Sequence, residues 1–229
     1  MSETAASFIA KSTIKAADLE HRRKINFNIS KYNAVVPIGK SQFTDVNITR
    51  ERAKNIKWEA IEHLDKYLLE FEQKITARGA TVIWANDTAE ALEAIGKICR
   101  ERNCKTLVKS KSMVTEEIHL NDFLEASGIE SVETDLGEYI QQLDGEPPYH
   151  IVTPAMHKSK EDVAKLFAEK LGTPSDLTPE ELTLVARKIL RNKYTEAEIG
   201  VTGANFIVAD IGGIAVTENE GNARLSCAW

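Results

Sequence analysis

The chain of 229 residues sets 29 Lys+Arg against 35 Asp+Glu, a formal net charge of −6, with 42% hydrophobic and 28% charged residues. This is too apolar for a disordered chain, the acidic balance argues against nucleic acid as a partner, and no window approaches the ~18 consecutive apolar residues of a membrane span. The start Met1-Ser2-Glu3-Thr4 has no basic run leading into an apolar one, and the three cysteines, Cys99, Cys104 and Cys227, are too few for a disulfide scaffold, which together point to the cytoplasm.

At ~150 residues per domain the length allows one large domain or one and a half. Residues 1–48 are polar and mixed and read as an N-terminal arm. It holds a helix over residues 12–28 and an extended run over residues 34–38, which contains Pro37. Residues 49–229 read as one α/β domain. A single apolar stripe at helical spacing, Ala53, Ile56, Ala60, Leu64, Leu68, Phe71 and Ile75, predicts a helix over residues 50–78, capped by Thr49 and stopped by Gly79. Residues 80–85 (ATVIWA) read as a buried strand, and Asp87-Thr88-Ala89-Glu90 as a capping box opening a helix that reaches Glu101.

Strands are then expected at residues 106–109, 129–133 and 150–153. Helices are expected over 113–127, 136–143, 160–170 and 179–192. Strands alternating with helices imply βαβ units and a parallel sheet covered on both faces. Residues 200–210 and 213–218 read as two strands joined at Ile211-Gly212-Gly213, a hairpin added to that sheet. The last residues, 225–229, read as the start of a further strand, so the domain is expected to be truncated at its C-terminus.

Ligands of open α/β sheets bind beyond the carboxyl ends of the strands, so the residues just after each strand are the first candidates. After the first strand comes Lys109-Ser110-Lys111-Ser112-Met113, with Glu116 and Glu117 one turn later. Ser112 and the amides opening the next helix could bind an anion with Lys111 adding charge, or Ser112 could simply cap that helix beside solvated lysines. Glu116 and Glu117 are consecutive and point to different helix faces. Glu133, Asp135 and Glu138 come after the second strand, where a carboxylate pair or a solvated acidic loop both fit.

His150 and His157 lack a third ligand nearby, and His21, His63 and His119 sit on expected helices, so no metal site is assigned. Five of the 12 glycines lie in the last 30 residues. There Gly200-Val201-Thr202-Gly203-Ala204-Asn205 is no dinucleotide fingerprint, because a strand comes after it. The polar run from Glu218 to Arg224 could hold a carboxylate or phosphate, or could be a turn that needs Gly and Asn. Cys99 lies on the apolar stripe of its helix. Cys99 and Cys104 give the opening spacing of a plant-type iron–sulfur site, but the expected third ligand is Leu107.

Three long blocks, VKSKSMVTEEIHLN (108–121), ETDLGEYIQQLDGEPPYHIVTPAMHK (133–158) and GVTGANFIVADIGGIAVTENEGNARL (200–225), resemble the lactate-utilisation (LUD) domain as it occurs in the lactate utilisation protein B family, the iron–sulfur subunit of a three-protein lactate oxidation complex. In family order they cover most of residues 50–229. The resemblance implies a three-layer α/β fold, similar to ribose-phosphate isomerases, CoA transferases and formyltetrahydrofolate cyclo-ligase. It implies a part in oxidising L-lactate to pyruvate beside the other subunits of the complex. It also implies [4Fe–4S] clusters only in a cysteine-rich region beyond these residues, with no cofactor in this chain.

Carried over residue by residue, the family's pocket comprises Glu116, Glu133, Asp135 and Glu220 as candidate catalytic groups. Lys111, Ser112, Asn205, Asn222 and Arg224 are the candidate binders of a small carboxylate. Two other readings stay open: an isomerase or cyclo-ligase acting on phosphorylated or folate-like substrates, and a non-catalytic docking module.

Overall fold

The computed structural model describes residues 4–218 and 220–228. Four helices lead the chain: α1 (Ala5–Ala17), α2 (Leu19–Lys40), α3 (Val46–Glu62) and α4 (Leu64–Ala77). Next come α5 (Thr88–Glu101), β1 (Thr106–Lys109), α6 (Met113–Glu117), α7 (Leu120–Ala126), β2 (Glu130–Glu133) and α8 (Leu136–Asp144). The chain closes with α9 (Lys160–Leu171), α10 (Pro179–Glu196), β3 (Ile199–Val201), β4 (Phe206–Val208), β5 (Gly213–Ala215) and α11 (Asn222–Ala228).

The central sheet runs β2-β1-β3, parallel throughout, with Lys109 registered opposite both Glu133 and Val201. Successive β1 residues serve opposite faces, as the period of two requires. Val108 and Val132 enter an apolar cluster with Tyr139, Phe167, Ala186 and Leu190, from α8, α9 and α10. Leu107 turns the other way, into a cluster with Cys99, Leu120, Leu124 and Ile129 beneath α5 and α7. The fold is therefore α/β in three layers, helix, sheet, helix, with the parallel sheet expected from the strand–helix alternation.

Several local expectations change. Residues 34–38 are helical, because Pro37 sits three residues before the end of α2, leaving most of the helix intact. The expected helix over 50–78 is two helices that meet at His63 (φ −123°, ψ 34°), and its cap is Asp45, whose carboxylate accepts from the amides of Asn47 and Ile48. Residues 80–85 form no strand. They find no sheet edge, leave Ile83 and Trp84 exposed, and are tied back to α4 by Trp84 Nε1 donating to Glu72 at 3.0 Å.

Residues 150–153 are also not a strand: His150 Nδ1 accepts from the amides of Val152 and Thr153, which curls the segment into a turn. The helix over 113–127 breaks at His119, which takes φ 54° and separates α6 from α7. The stretch 200–210 splits between two sheets. β3 joins the parallel sheet, while among the described residues β4 pairs only with β5, antiparallel, so the hairpin is a separate two-stranded ribbon, and its second strand stops at Ala215. A 3₁₀ turn over Ala209–Ile211 joins the pair and packs on α4, where Lys74 Nζ donates to the carbonyl of Asp210 at 2.6 Å.

Residues 225–228 belong to α11, not to a strand; Trp229 lies outside the described residues, as do Asn219 and the first three residues. This last helix crosses β3 so closely that a Cβ on Gly200 would stand 1.7 Å from the carbonyl oxygen of Ser226. Backbone cannot swing aside as a side chain can, so Gly200→Ala is expected to cost about 3 kcal/mol. Urea unfolding would measure the loss, with amide exchange in α11 rising selectively. A change within about 0.5 kcal/mol, the range of neutral surface substitutions, would contradict this close approach.

Helix α2 docks through polar contacts. Lys24 pairs with Asp162 at 2.5 Å, Asn28 donates to the carbonyl of Met156 at 2.8 Å, and His21 Nε2 meets the Tyr149 hydroxyl at 2.9 Å. Among the described residues no helix is long and apolar enough to cross a membrane.

Candidate functional site

The carboxyl ends of β1 and β2 place two charged side chains inside the protein. Lys109 is 0% exposed and Glu133 is 3% exposed. Their shared register puts them side by side on the α6–α7 face of the sheet, with Lys109 Nζ 2.6 Å from Glu133 Oε1. Lys109 also donates to Glu116 Oε1 at 2.7 Å and to Thr115 Oγ1 at 3.0 Å, so all three ammonium protons have acceptors. Desolvation pushes the Lys109 pKa down, but the charges and hydrogen bonds of Glu133 and Glu116 outweigh it and hold the pKa above the usual lysine value.

The break at His119 completes this network. It lets Asn121, in the first turn of α7, donate to Glu133 Oε1 at 2.8 Å while its own carbonyl oxygen accepts from Ser131 Oγ at 2.8 Å. Glu138, in the first turn of α8, is buried against the same carboxylate. Burial, then the charge and hydrogen bond of Glu133, raise its pKa from 4.5 to about 8, so it is a neutral acid at pH 7. These groups border a cavity of about 430 Å³ between α6, α7, α8 and residues 145–148.

A second cavity, about 550 Å³, opens on the opposite side of the sheet edge, between α8, α10 and α11. Arg187 and Arg191, one turn apart on α10, line it with Tyr194, Glu220 and Asn222. Neither arginine has an ion pair or hydrogen bond among the described residues. Asp135 caps α8 by accepting from the amides of Gly137 and Glu138, and Glu220 accepts from the amide of Leu136 at 3.3 Å beside it. Burial first, and then the neighbouring Asp135 charge, raise the Glu220 pKa, against the pull of the Leu136 amide and Lys111. Tyr194 donates to the carbonyl of Asn222 at 3.2 Å, and Asn222 Nδ2 to Thr134 Oγ1 at 3.5 Å.

The nine residues carried over from the resemblance thus separate. Glu116 and Glu133 meet on Lys109, beside the first cavity. Asp135, Glu220 and Asn222 gather around the second, with Lys111 near enough to act on Glu220. Ser112 caps α6 by accepting from the Thr115 amide at 3.3 Å. Asn205 stands in the β4–β5 ribbon and accepts from the Thr217 amide at 2.7 Å. Arg224 is exposed, its Nε 3.9 Å from Glu218. Lys109, Glu138, Arg187 and Arg191 lie outside the nine. Lys109 ends an apolar strand on the side-chain parity of Leu107, a signal that it is buried; the two arginines left no signal beyond their i, i+4 spacing.

Cys99 and Cys104 are buried together in the α5–α7 cluster, where desolvation raises both thiols, that of Cys104 to about 12. Cys227 lies apart, in α11.

The family model described as the LUD domain matches residues 68–229. The chain belongs to the LUD domain family. Among curated relatives it is 48% identical over 180 residues to lactate utilization protein B of Geobacillus sp. (strain WCH70), covering 78% of this chain and 38% of that protein. It is also 48% identical over 177 residues to lactate utilization protein B of Bacillus subtilis (strain 168), covering 77% of this chain and 37% of that one. The chain therefore spans little more than a third of the length of these relatives. No solved structure matches the chain. The matched part of the LUD domain runs from α4 through α11 and contains the whole parallel sheet and the lining of both sheet-edge cavities. A larger groove, about 1040 Å³ between α3, α4 and β4, touches no strand of the parallel sheet and begins before that part.

Proposed function

We propose that this LUD domain serves lactate utilisation by holding a small hydroxy-carboxylate in the cavity between α8, α10 and α11. The observation that carries this reading is the pair Arg187 and Arg191, two exposed cations with no ion pair among the described residues, which line one cavity with Asn222 and the raised carboxyl of Glu220. Arginine binds a carboxylate bidentately, and Asn222 and Tyr194 add polar groups that fix its orientation. Glu220, on the wall of the same cavity, is the group to take the hydroxyl proton, while the Cα hydrogen and two electrons must pass to an acceptor that these residues do not supply. The relatives' name, lactate utilization protein B, supports lactate or pyruvate as the ligand. The electron acceptor, read as [4Fe–4S] clusters, and the contacts with the other subunits of a lactate utilisation complex are assigned to protein outside these 229 residues.

Calorimetry with L-lactate and pyruvate tests this, with neutral lactamide as control. Lactate and pyruvate are expected to bind and lactamide not. Arg187→Ala with Arg191→Ala is expected to weaken binding at least tenfold, since each charge-assisted hydrogen bond contributes about 1.5–3 kcal/mol. Binding that survives the double substitution unchanged would overturn the assignment.

A further inference from the structure

The first cavity has the wrong chemistry for a carboxylate. Lys109 beneath it has no proton left to offer, and the wall carries Glu116, Asp122, Glu125, Glu133, Glu138 and Glu146 against one basic group, His119. Its floor is the more telling feature. Glu138 and Gln141 are each 1% exposed, yet without a proton on Glu138 both its carboxyl oxygens, Oε1 of Gln141 and Oε2 of Glu133 have no hydrogen-bond partner among the described residues. Each buried, unsatisfied acceptor costs about 1–3 kcal/mol, and folded chains rarely keep four together. With Glu138 ionised all four accept, and Gln141 cannot turn its amide inward, because its Nε2 already donates to the carbonyl of Pro147 at 3.1 Å.

We propose that this cavity binds a small organic cation with several N–H donors, an alkylammonium or guanidinium compound, whose donors fill the orphaned acceptors of Glu133, Glu138 and Gln141. The volume, about 430 Å³, suits a small molecule. A bare metal ion fits less well, because among the described residues no three acidic, histidine or cysteine groups converge as a metal site.

In the empty cavity a proton does part of the same work. Glu138 keeps its proton to about pH 8 and directs it at Glu133, which satisfies two of the four acceptors and leaves two. A bound cation takes the place of that proton. The groups facing Glu138 are Glu133 on β2, Lys109 on β1 and Asp135 at its own helix start. Across the cavity stand Glu116 on α6, His119, Asp122 and Glu125 around α7, and Glu146, which His157 and Lys158 hold at 3.0 Å each. The acids outnumber the bases, so the field across the cavity favours a cation at every pH at which Glu133 and Glu116 are charged.

The test is calorimetry on the 229-residue chain with methylguanidine and butylamine as probes, at pH 7 in phosphate and in Tris. The expected result is millimolar or tighter binding of at least one probe, with about one proton released per ligand, read from the difference between the buffers. Affinity should rise up to tenfold per pH unit from pH 6 to 8 and level off above. Glu138→Gln, whose amide can replace the lost proton toward Glu133, should fold normally, release no proton and bind at least tenfold more weakly. The exposed pair Asp122→Asn and Glu125→Gln should weaken binding two- to threefold without touching the fold. No binding of either probe at 20 mM would overturn the proposal, as would binding that these substitutions leave unchanged. Lactate binding at Arg187 and Arg191 should be unaffected by Glu138→Gln, which separates this site from the other cavity.

Discussion

Replacing Lys109 with methionine is expected to cost about 3–5 kcal/mol of folding stability, because it strands the carboxylates it pairs while leaving them in place. Glu133 is almost wholly buried, and among the described residues Lys109 Nζ and Asn121 Nδ2 are the donors to its Oε1. Methionine preserves the volume of the stem, so the effect isolates the charge. For a domain of this size that corresponds to a fall in Tm on the order of 10 °C. Guanidinium unfolding at pH 7 would measure it. The paired substitution Lys109→Met with Glu133→Gln should recover part of the loss, since no bare charge then remains on β2, and the cycle gives the coupling directly. A single-variant cost below about 1 kcal/mol, that of an exposed ion pair, would show that the network is solvated.

The same lysine sets an alkaline limit. Its folded pKa lies above its unfolded value near 10.5. Its contribution is therefore complete below pH 10.5 and is lost as pH rises through the folded value. Lys109→Met should remove that part of the alkaline slope.

The elements that were legible in the sequence are those whose signals are local. Asp87 caps α5, the helix expected over 179–192 appears as α10, and the strands expected at 106–109 and 129–133 appear as β1 and β2. The failures share a different cause. ATVIWA has the composition of a strand, but a strand needs a neighbour with a free edge, and that is a property of the whole sheet. Residues 225–228 look apolar enough for a strand, yet Ser226 Oγ donates to the carbonyl of Asn222 and the segment coils across Gly200. His119 in a left-handed conformation is equally invisible in composition, since even histidine, which enters that region more readily than most residues, does so in a small minority of cases.

The sites obey the same division. That the carboxyl ends of the strands would carry charge could be read from KSKS and ETDLGE. Which charges meet could not, because it depends on register: Lys109 faces Glu133 only because β1 and β2 align Thr106 with Glu130. Glu116 and Glu117 were separable by helix geometry alone, and it is Glu116 that reaches Lys109. Arg187 and Arg191 approach Glu220 and Asn222 only through the crossing of α10 with α11, contacts that span some 30 residues of sequence.

Glu138→Gln is expected to stabilise the protein at alkaline pH, an unusual sign for a buried substitution. Burial and the Glu133 charge lift the Glu138 carboxyl from 4.5 to about 8. Below pH 4.5 the folded and unfolded chains both hold this proton, and the group adds no pH dependence. Between pH 4.5 and 8 the folded chain keeps a proton that the unfolded chain releases, so stability falls with each step in pH. Above pH 8 both forms are ionised and the full cost of a buried carboxylate, on the order of 4–5 kcal/mol, is present. Glutamine carries no such cost and its amide can donate to Glu133 Oε2, which otherwise lacks a partner. Urea unfolding at pH 5 and pH 9 would separate the cases. Wild type and variant should agree within about 1 kcal/mol at pH 5, and the variant should be several kcal/mol more stable at pH 9. A constant difference at both pH values would mean that Glu138 is ionised throughout, and with it that no proton holds the place of a donor beside Glu133.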